Sequence, residues 1–194
     1  MKKFLFLTLF AAGMMLAGAN ASAQVSVGAG SATRLYFEKG STVDYTYGVQ
    51  LNFEDAKRLT DVFGYSAGVD FGTYGNKKFY SETAGLNEIY VDIPVRMKFY
   101  IPFSEDFEMF FFGGVAPSIC ASSRIKTEST NVNRFEGASS YFRYDVLAGG
   151  GVGVELNESF RFALGYDQGL LDRYKDDRVL RVAAVKFTFS FLFY

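Results

Sequence analysis

Histidine and tryptophan are absent from this 194-residue sequence, which holds only one cysteine and three prolines. Without histidine, catalysis that needs an imidazole to act as a base or to activate a nucleophile is excluded, as are metal sites built from histidine and cysteine. The single cysteine, Cys120, cannot form a disulfide within the chain, and we interpret it as a small buried residue near a strand end. The sequence predicts no catalytic residue, no cofactor and no metal ligand.

The sequence also has no excess of either charge, since it contains 20 basic and 21 acidic residues and has a net charge of -1. No long-range field therefore points to nucleic acid as a partner. Aromatic residues are abundant instead, with 22 phenylalanines and 13 tyrosines making up 18% of the chain. The fold has to place these large apolar rings in suitable surroundings.

The first 23 residues have the pattern of an export signal, because two lysines precede an apolar run at residues 4–16 and a small-x-small cleavage site follows. That run is too short to cross a bilayer as a helix, which takes about 20 residues. We expect residues 1–23 to be a cleaved signal peptide and residues 24–194 to form one domain. The predicted cut is followed by Gln24 rather than by a cysteine that could carry lipid. The folded domain itself must therefore hold the protein in a membrane.

The mature chain alternates apolar and polar residues with a period of two, which predicts β-strands with unlike surroundings on their two faces. In residues 43–54 one face carries Val43, Tyr45, Tyr47, Val49, Leu51 and Phe53. Similar alternation is found in residues 62–74, 86–101 and 179–194. Weaker patterns predict four more strands at residues 25–36, 107–119, 141–156 and 160–170. Strands of up to about 15 residues exceed those of soluble sheets and suit a membrane crossing.

Short and long connections alternate along the chain, as expected for antiparallel strands that cross a membrane. The short ones are residues 55–61, 102–106 and 157–159. The long ones are residues 38–42, 75–85, 121–140 and 171–177. Eight strands place both termini on the side of the short turns, which we expect to be the periplasm. We interpret the polar loop at residues 121–140 as solvated, with a ligand or partner surface as the alternative.

An open eight-stranded sheet would leave two unpaired edges, which are costly in hydrocarbon, so the sheet should close. Its lumen would be just wide enough for side chains. The aromatic rows would overfill that lumen, whereas the face rich in glycine and charge fits inside. We therefore predict an all-β fold, a closed antiparallel up-and-down transmembrane β-barrel of about eight strands, in the lipid of the bacterial outer membrane. In the fifth predicted strand, residues 107–119, nearly every residue at the beginning is apolar, and only Glu108 indicates that the even positions face inward.

Charged residues of the inward phase form the candidate functional site. Both signs are present, so they can pair in a low-dielectric lumen where an unpaired charge would be costly. The predicted network comprises Asp70, Glu88, Asp92, Arg96, Lys98, Asp145, Glu155, Arg161 and Lys186, with Asp44 and Asp167 in the same phase. We interpret it as a salt-bridge plug, with a gated ion path as the alternative. Arg96 and Arg161 are expected to be central cations paired with carboxylates such as Asp92 and Asp145.

Residues 90–99 read Tyr-Val-Asp-Ile-Pro-Val-Arg-Met-Lys-Phe, a strand centred on Ile-Pro and followed by a basic residue. In this segment most specifically, and over essentially all of its length, the mature chain resembles the PorT-like outer-membrane β-barrel family of Bacteroidota. Residues 113–117, 144–152 and 165–170 look like its glycine-bearing strands. The resemblance implies a role in a secretion or assembly apparatus, with other envelope proteins as partners, but a fold does not establish a function.

The C-terminus departs from the usual barrel pattern, in which the last residue is an aromatic in phase with the lipid-facing row. Here Phe187, Phe189, Phe191 and Phe193 share one phase and Tyr194 belongs to the other. Either the row shifts by one residue at the end, or Phe193 serves as the terminal signal.

The glycine run at residues 149–153 does not have the nucleotide-binding fingerprint, which would need glycine at position 154 and a following helix. Small residues that make room in a narrow lumen explain the run better. The leading hypothesis is a noncatalytic structural or interaction protein, or a subunit of an envelope complex. The alternatives are a narrow ion or small-solute channel and a soluble periplasmic barrel that binds an apolar ligand, which would need inside and outside to be reversed.

Overall fold

The computed structural model describes residues 22–38, 43–81, 84–127, 129–136, 141–174 and 179–194. The predicted signal peptide therefore lies almost wholly outside the described residues. The strands in these ranges are β1 (Ser22–Glu38), β2 (Asp44–Arg58), β3 (Phe63–Ser81), β4 (Ala84–Asp92), β5 (Val95–Pro102), β6 (Phe107–Lys126), β7 (Asn131–Asn133), β8 (Tyr144–Leu156), β9 (Phe160–Gly169) and β10 (Leu180–Phe193). Within the same ranges, no helix is long and apolar enough to cross a membrane.

The strands form a closed antiparallel ring, because β1 pairs with β2 on one side and with β10 on the other. Strands β4 and β5 lie in line, and both pair with β3 and with β6. They are separated at Ile93 and Pro94, where the proline has no N–H to donate to the ladder. Strand β7 pairs only with the end of β6. The ring through the described residues therefore contains eight crossing strands, as the sequence predicts.

The wall is apolar outside and polar inside. On β2, the outward residues Tyr47, Val49 and Leu51 are 62%, 63% and 55% exposed, whereas the inward residues Thr46 and Gln50 are at most 2% exposed. This pattern is the reverse of a soluble protein, and so broad an exposed apolar surface suits contact with lipid. A soluble barrel with an apolar lumen would need the opposite arrangement.

The aromatic rows that were expected to overfill the lumen lie on the outer wall, but two other aromatic rings enter the lumen. Phe110 and Phe112 of β6 are buried inside, in the even phase that Glu108 indicates, while Phe111 is exposed outside. The glycines of β8 make the space for them. A Cβ atom built on Gly153 would overlap the ring of Phe110, and one built on Gly151 would overlap the ring of Phe112.

The wall continues beyond the predicted strand ends on the side away from the termini. Strand β3 extends to Ser81 and β6 extends to Lys126, so the loops predicted at residues 75–85 and 121–140 are partly strand. Backbone pairing can continue in water, where the apolar pattern of a membrane crossing is not needed, so that pattern marks only part of each strand. The predicted loops at residues 38–42 and 171–177 lie partly outside the described residues.

The C-terminal row does not shift at its end. Phe193 pairs with Val25 in the same register as the rest of β10, and it is 56% exposed on the outer wall. The hydroxyl of Tyr194 accepts a hydrogen bond from the Gln24 amide at 2.5 Å. Phe193 is therefore the last aromatic of the outward row.

Candidate functional site: the charged lumen

Asp92 is the centre of the middle cluster in the lumen. It is the last residue of β4, 1% exposed, and its carboxylate accepts hydrogen bonds from three side chains on other strands. One Arg34 nitrogen lies 3.1 and 2.9 Å from the two carboxylate oxygens, the Ser118 hydroxyl lies at 2.6 Å, and Lys186 Nζ lies at 2.9 Å. Asp92 therefore connects three other strands of the ring.

Lys186 relieves a repulsion that the sheet register creates. Asp70 and Asp92 are direct partners across β3 and β4, and like charges in that position destabilise a sheet. Lys186 reaches from β10 to within 3.2 Å of Asp70 and 3.4 Å of Asp167 in addition to its contact with Asp92. Arg96 completes this cluster with a contact of 3.5 Å to Asp167. The cations and carboxylates of the middle cluster depend on one another.

A lower cluster lies nearer the chain termini and is centred on Arg161. Glu155 and Arg161 are partners across β8 and β9, and the guanidinium lies 2.9 and 2.7 Å from one Glu155 oxygen. Arg161 also lies 2.5 Å from Glu54, which lies 2.5 Å from Lys98, and it donates to the Gln24 side-chain oxygen. The guanidinium also donates to the Ser26 hydroxyl oxygen at 3.4 Å, so it is held by four acceptors on three strands.

An upper cluster occupies the end of the lumen away from the termini. Glu88 accepts hydrogen bonds from the hydroxyls of Ser123 at 2.6 Å, Tyr90 at 3.0 Å and Tyr36, and from Arg134 at 3.2 Å. Glu88 is 1% exposed, so its charge depends on these donors for stabilisation.

Arginine and tyrosine side chains alternate through the same end of the lumen. The Arg134 guanidinium lies 3.9 Å from the centre of the Tyr141 ring, and that of Arg173 lies 4.4 Å from it. Arg173 lies 5.6 Å from the Tyr90 ring, and Arg34 lies 3.6 Å from it. These distances are typical of cation–π contacts. The alternating stack closes the lumen beneath the connections at residues 129–136 and 171–174.

The space between the middle and lower clusters is small, whereas a cavity of about 290 Å³ opens at the end nearer the termini beside Arg58, Glu108 and Glu155. The small cavity, of about 40 Å³, borders Arg96, Lys98, Phe110, Phe112 and Lys186. A water molecule needs roughly 10 to 15 Å³ of such space, so the small cavity has room for no more than a few waters. The described side chains form a plug rather than an open pore.

The structure places the nine predicted network residues inside the ring. Eight of them are at most 7% exposed, and the Arg96 side chain, beside the cavity, is 17% exposed. Their partners differ from the expected ones. Arg96 contacts Asp167, Arg161 contacts Glu54 and Glu155, Asp92 contacts Arg34 and Lys186, and Asp145 lies 3.7 Å from Arg173.

The expected pairing of Arg96 and Arg161 with Asp92 and Asp145 is therefore wrong. Alternation along a strand gives the direction of a side chain, but the height at which it meets a neighbour depends on the stagger of all the strands around the ring. Arg161 lies one residue from the beginning of β9, next to a short turn, and Asp145 lies near the opposite end of the lumen.

Among the described residues, the predicted network omits five charged residues that contact the lumen charges: Arg34, Glu54, Arg58, Arg134 and Arg173. Arg34 and Glu54 share a phase with polar inward residues of β1 and β2, so the alternation could have identified them. Arg134 and Arg173 lie in connections outside the ring strands, where no periodicity predicts burial. Asp44, at the beginning of β2, is half-buried.

Replacing Arg96 with methionine should lower the free energy of unfolding by about 1 kcal/mol, because the guanidinium makes a single ion pair of 3.5 Å, lies over the Phe112 ring at 4.7 Å and borders the cavity. Urea titration of the folded barrel in detergent micelles measures the change. A loss of more than about 3 kcal/mol would contradict this secondary role, since that loss is typical of a fully buried ion pair.

A closed ring of eight antiparallel strands, with an apolar outer wall and paired charges inside, defines a transmembrane β-barrel of the outer-membrane type. The family model for the outer membrane protein beta-barrel domain matches residues 17–174. The chain belongs to this family. Among curated proteins, none matches the chain.

Solved structures share the fold. Ail, the attachment invasion locus protein of Yersinia pestis, is 14% identical, with 89% of this chain and 99% of Ail covered and a TM-score of 0.53. Neisserial surface protein A is 10% identical, with 88% and 98% covered and a TM-score of 0.54. The outer membrane enzyme PagL is 10% identical, with 86% and 97% covered and a TM-score of 0.50. Identities this low show a common fold and leave the activity open.

Proposed function

We propose that this protein is a noncatalytic, non-conducting barrel of the outer membrane that serves as a structural or interaction protein or as a subunit of an envelope complex. The observation that carries the proposal is the middle of the lumen, where charged clusters on several strands leave a cavity of about 40 Å³ between them. Opening a path would separate buried ion pairs, and breaking one such pair costs about 3 to 5 kcal/mol.

The absence of histidine supports a noncatalytic role, because the chain has no imidazole to act as a base near neutral pH. The buried carboxylates Glu54, Asp92 and Glu155 all lie against arginine or lysine, which favours a structural use of their charge. PagL, described as an outer membrane enzyme, has a similar fold, so the fold alone does not decide the activity.

The finer assignment to the PorT-like type, with a role in secretion or assembly, is also a proposal. It is supported by the segment at residues 90–99, which supplies Asp92, Arg96 and Lys98 to the lumen and contains the break at Pro94. We further propose that residues 1–23 are a cleaved signal peptide and that the termini and short turns face the periplasm. Strand β1 begins at Ser22, two residues before the predicted cut.

The purified protein is expected to give no stepwise conductance in a planar lipid bilayer at neutral pH. A variant with Phe110→Ala and Phe112→Ala, which removes two buried rings beside the cavity but leaves the upper stack of arginines and tyrosines in place, should also stay closed. An open porin in the same bilayer serves as the positive control. Steady conductance by the unaltered protein would contradict the proposal and favour the narrow channel.

A further inference from the structure

A groove of about 600 Å³ lies on the outer wall of the barrel, at the end away from the termini. It crosses β2, β3, β4 and the end of β6, and it is separate from the lumen clusters. Tyr47, Asn87, Lys77 and Lys126 border it as exposed side chains, and Val49 and Thr73 continue it along the wall. The groove thus joins a polar, basic end to an apolar wall.

Glycines at two outward positions form the floor of this groove. Gly75 is paired with Tyr47 on one side and with Asn87 on the other, so it leaves a gap between those two side chains. Gly85 is paired with Lys126, and a Cβ atom built on it would lie 3.0 Å from Lys77 Cα. The missing side chains open a depression with a lysine on each side.

The groove lies at the level of a membrane surface. Lys77 is fourteen residues beyond Phe63, the first residue of β3 (77 − 63 = 14). At about 3.4 Å per residue and a strand tilt of about 40°, this corresponds to a rise of about 35 Å, which exceeds the apolar band of about 25 Å by about 10 Å. The two lysines therefore lie where lipid headgroups begin, and Val49 and Thr73 lie towards the hydrocarbon.

The described residues that line the groove carry positive charge only. None of them is an aspartate or glutamate, and within the described ranges neither Lys77 nor Lys126 has a carboxylate within ion-pair distance. Two lysine ammonium groups beside amide and phenol groups form a good receptor for phosphate and sugar hydroxyls. A zwitterionic headgroup would match this set of donors less well.

We propose that this groove binds the phosphorylated saccharide headgroup of an outer-leaflet glycolipid, with Lys77 and Lys126 contacting phosphate. The acyl chains of the lipid would lie along Val49 and Thr73. The inference rests on the proposed orientation, in which the end away from the termini faces the cell exterior. It does not depend on whether the lumen conducts.

The test measures binding of purified lipopolysaccharide to the full barrel in detergent micelles by native mass spectrometry. The protein should retain one lipopolysaccharide molecule and should bind the enzymatically dephosphorylated form and phosphatidylglycerol more weakly. In a variant with Lys77→Gln and Lys126→Gln, binding should be about thirtyfold weaker, since each lysine near an anionic membrane surface contributes about fivefold.

Two further variants separate a site from general surface charge. Arg181→Gln removes an exposed basic residue from β10, outside the groove, and should leave binding unchanged. Gly75→Val fills the floor of the groove without removing charge. A Cβ atom at this position would approach only the flexible Asn87 amide within 3 Å, so the valine can be accommodated. This variant should weaken binding of lipopolysaccharide. Heat-modifiable gel mobility shows that each variant is folded.

Equal affinity for the phosphorylated and dephosphorylated lipids would overturn the proposal, as would equal loss of binding in the double lysine variant and in Arg181→Gln. A preference for phosphatidylglycerol would also overturn it. None of these results would alter the conductance expected of the plugged lumen, so the two proposals fail separately.

Discussion

Replacing Asp92 with asparagine is expected to destabilise the barrel by about 3 to 5 kcal/mol. The substitution keeps the size of the side chain but removes the carboxylate that faces Arg34 and Lys186. Lys186 keeps Asp70 and Asp167, whereas Arg34 loses its ion pair while it stays 0% exposed. The uncompensated guanidinium is the main source of the loss. Urea titration in detergent micelles or lipid vesicles gives the free energy.

The matched control is Asp61→Asn, which removes the same charge from an exposed turn at the end of the barrel nearer the termini. It should change the free energy of unfolding by no more than about 0.5 kcal/mol. If the two variants were equally stable, Asp92 would not be a centre of the plug, and the interpretation of the lumen as a structural charge network would fail with it.

Replacing Gly153 with leucine is expected to cost about 1 to 3 kcal/mol or more, because the new side chain would enter space that the Phe110 ring occupies. Eight strands leave no spare room in the lumen, and the strand positions are held by pairing on both sides. Loss of the compact, heat-modifiable band on a gel, or a lower urea midpoint, measures the effect.

Gly113→Leu is the control, because Gly113 lies on the outer wall, where a Cβ atom would meet its nearest neighbour at 3.6 Å. This variant should fold normally. Adding Phe110→Ala to Gly153→Leu should restore part of the lost stability by returning the volume of the ring. If Gly113→Leu and Gly153→Leu lost similar amounts of stability, the glycines would be needed for the backbone conformation at these positions and not to make space in the lumen.

Alternation along the chain was enough to predict the strands, because each crossing strand has lipid on one face and the lumen on the other. The predicted strand at residues 43–54 lies within β2 except for its first residue, and the one at 62–74 begins one residue before β3 but ends seven residues before β3 does. The phase also placed Asp92, Arg161 and Lys186 inside. The prediction was poorer at the strand ends, where the wall leaves the membrane and pairing continues without an apolar face.

The pairing of the lumen charges could not be predicted in the same way. Arg161 was expected near Asp92 or Asp145, but the stagger of the closed ring brings it to Glu54 and Glu155. The aromatic content of the lumen was underestimated for a related reason. The Phe110 ring fits inside because its cross-strand partner is a glycine, Gly153. That match becomes evident only when the register between the two strands is known.

The sequence by itself determined that the chain is a histidine-free protein with eight strands of opposite faces, because these features depend on composition and on local periodicity. The export signal stays a prediction. Only the tertiary structure decided which charges meet, how little space remains in the lumen and where outward glycines open a groove beside Lys77 and Lys126. Those features depend on the register between strands that are distant in sequence, and register is set by closure of the whole ring.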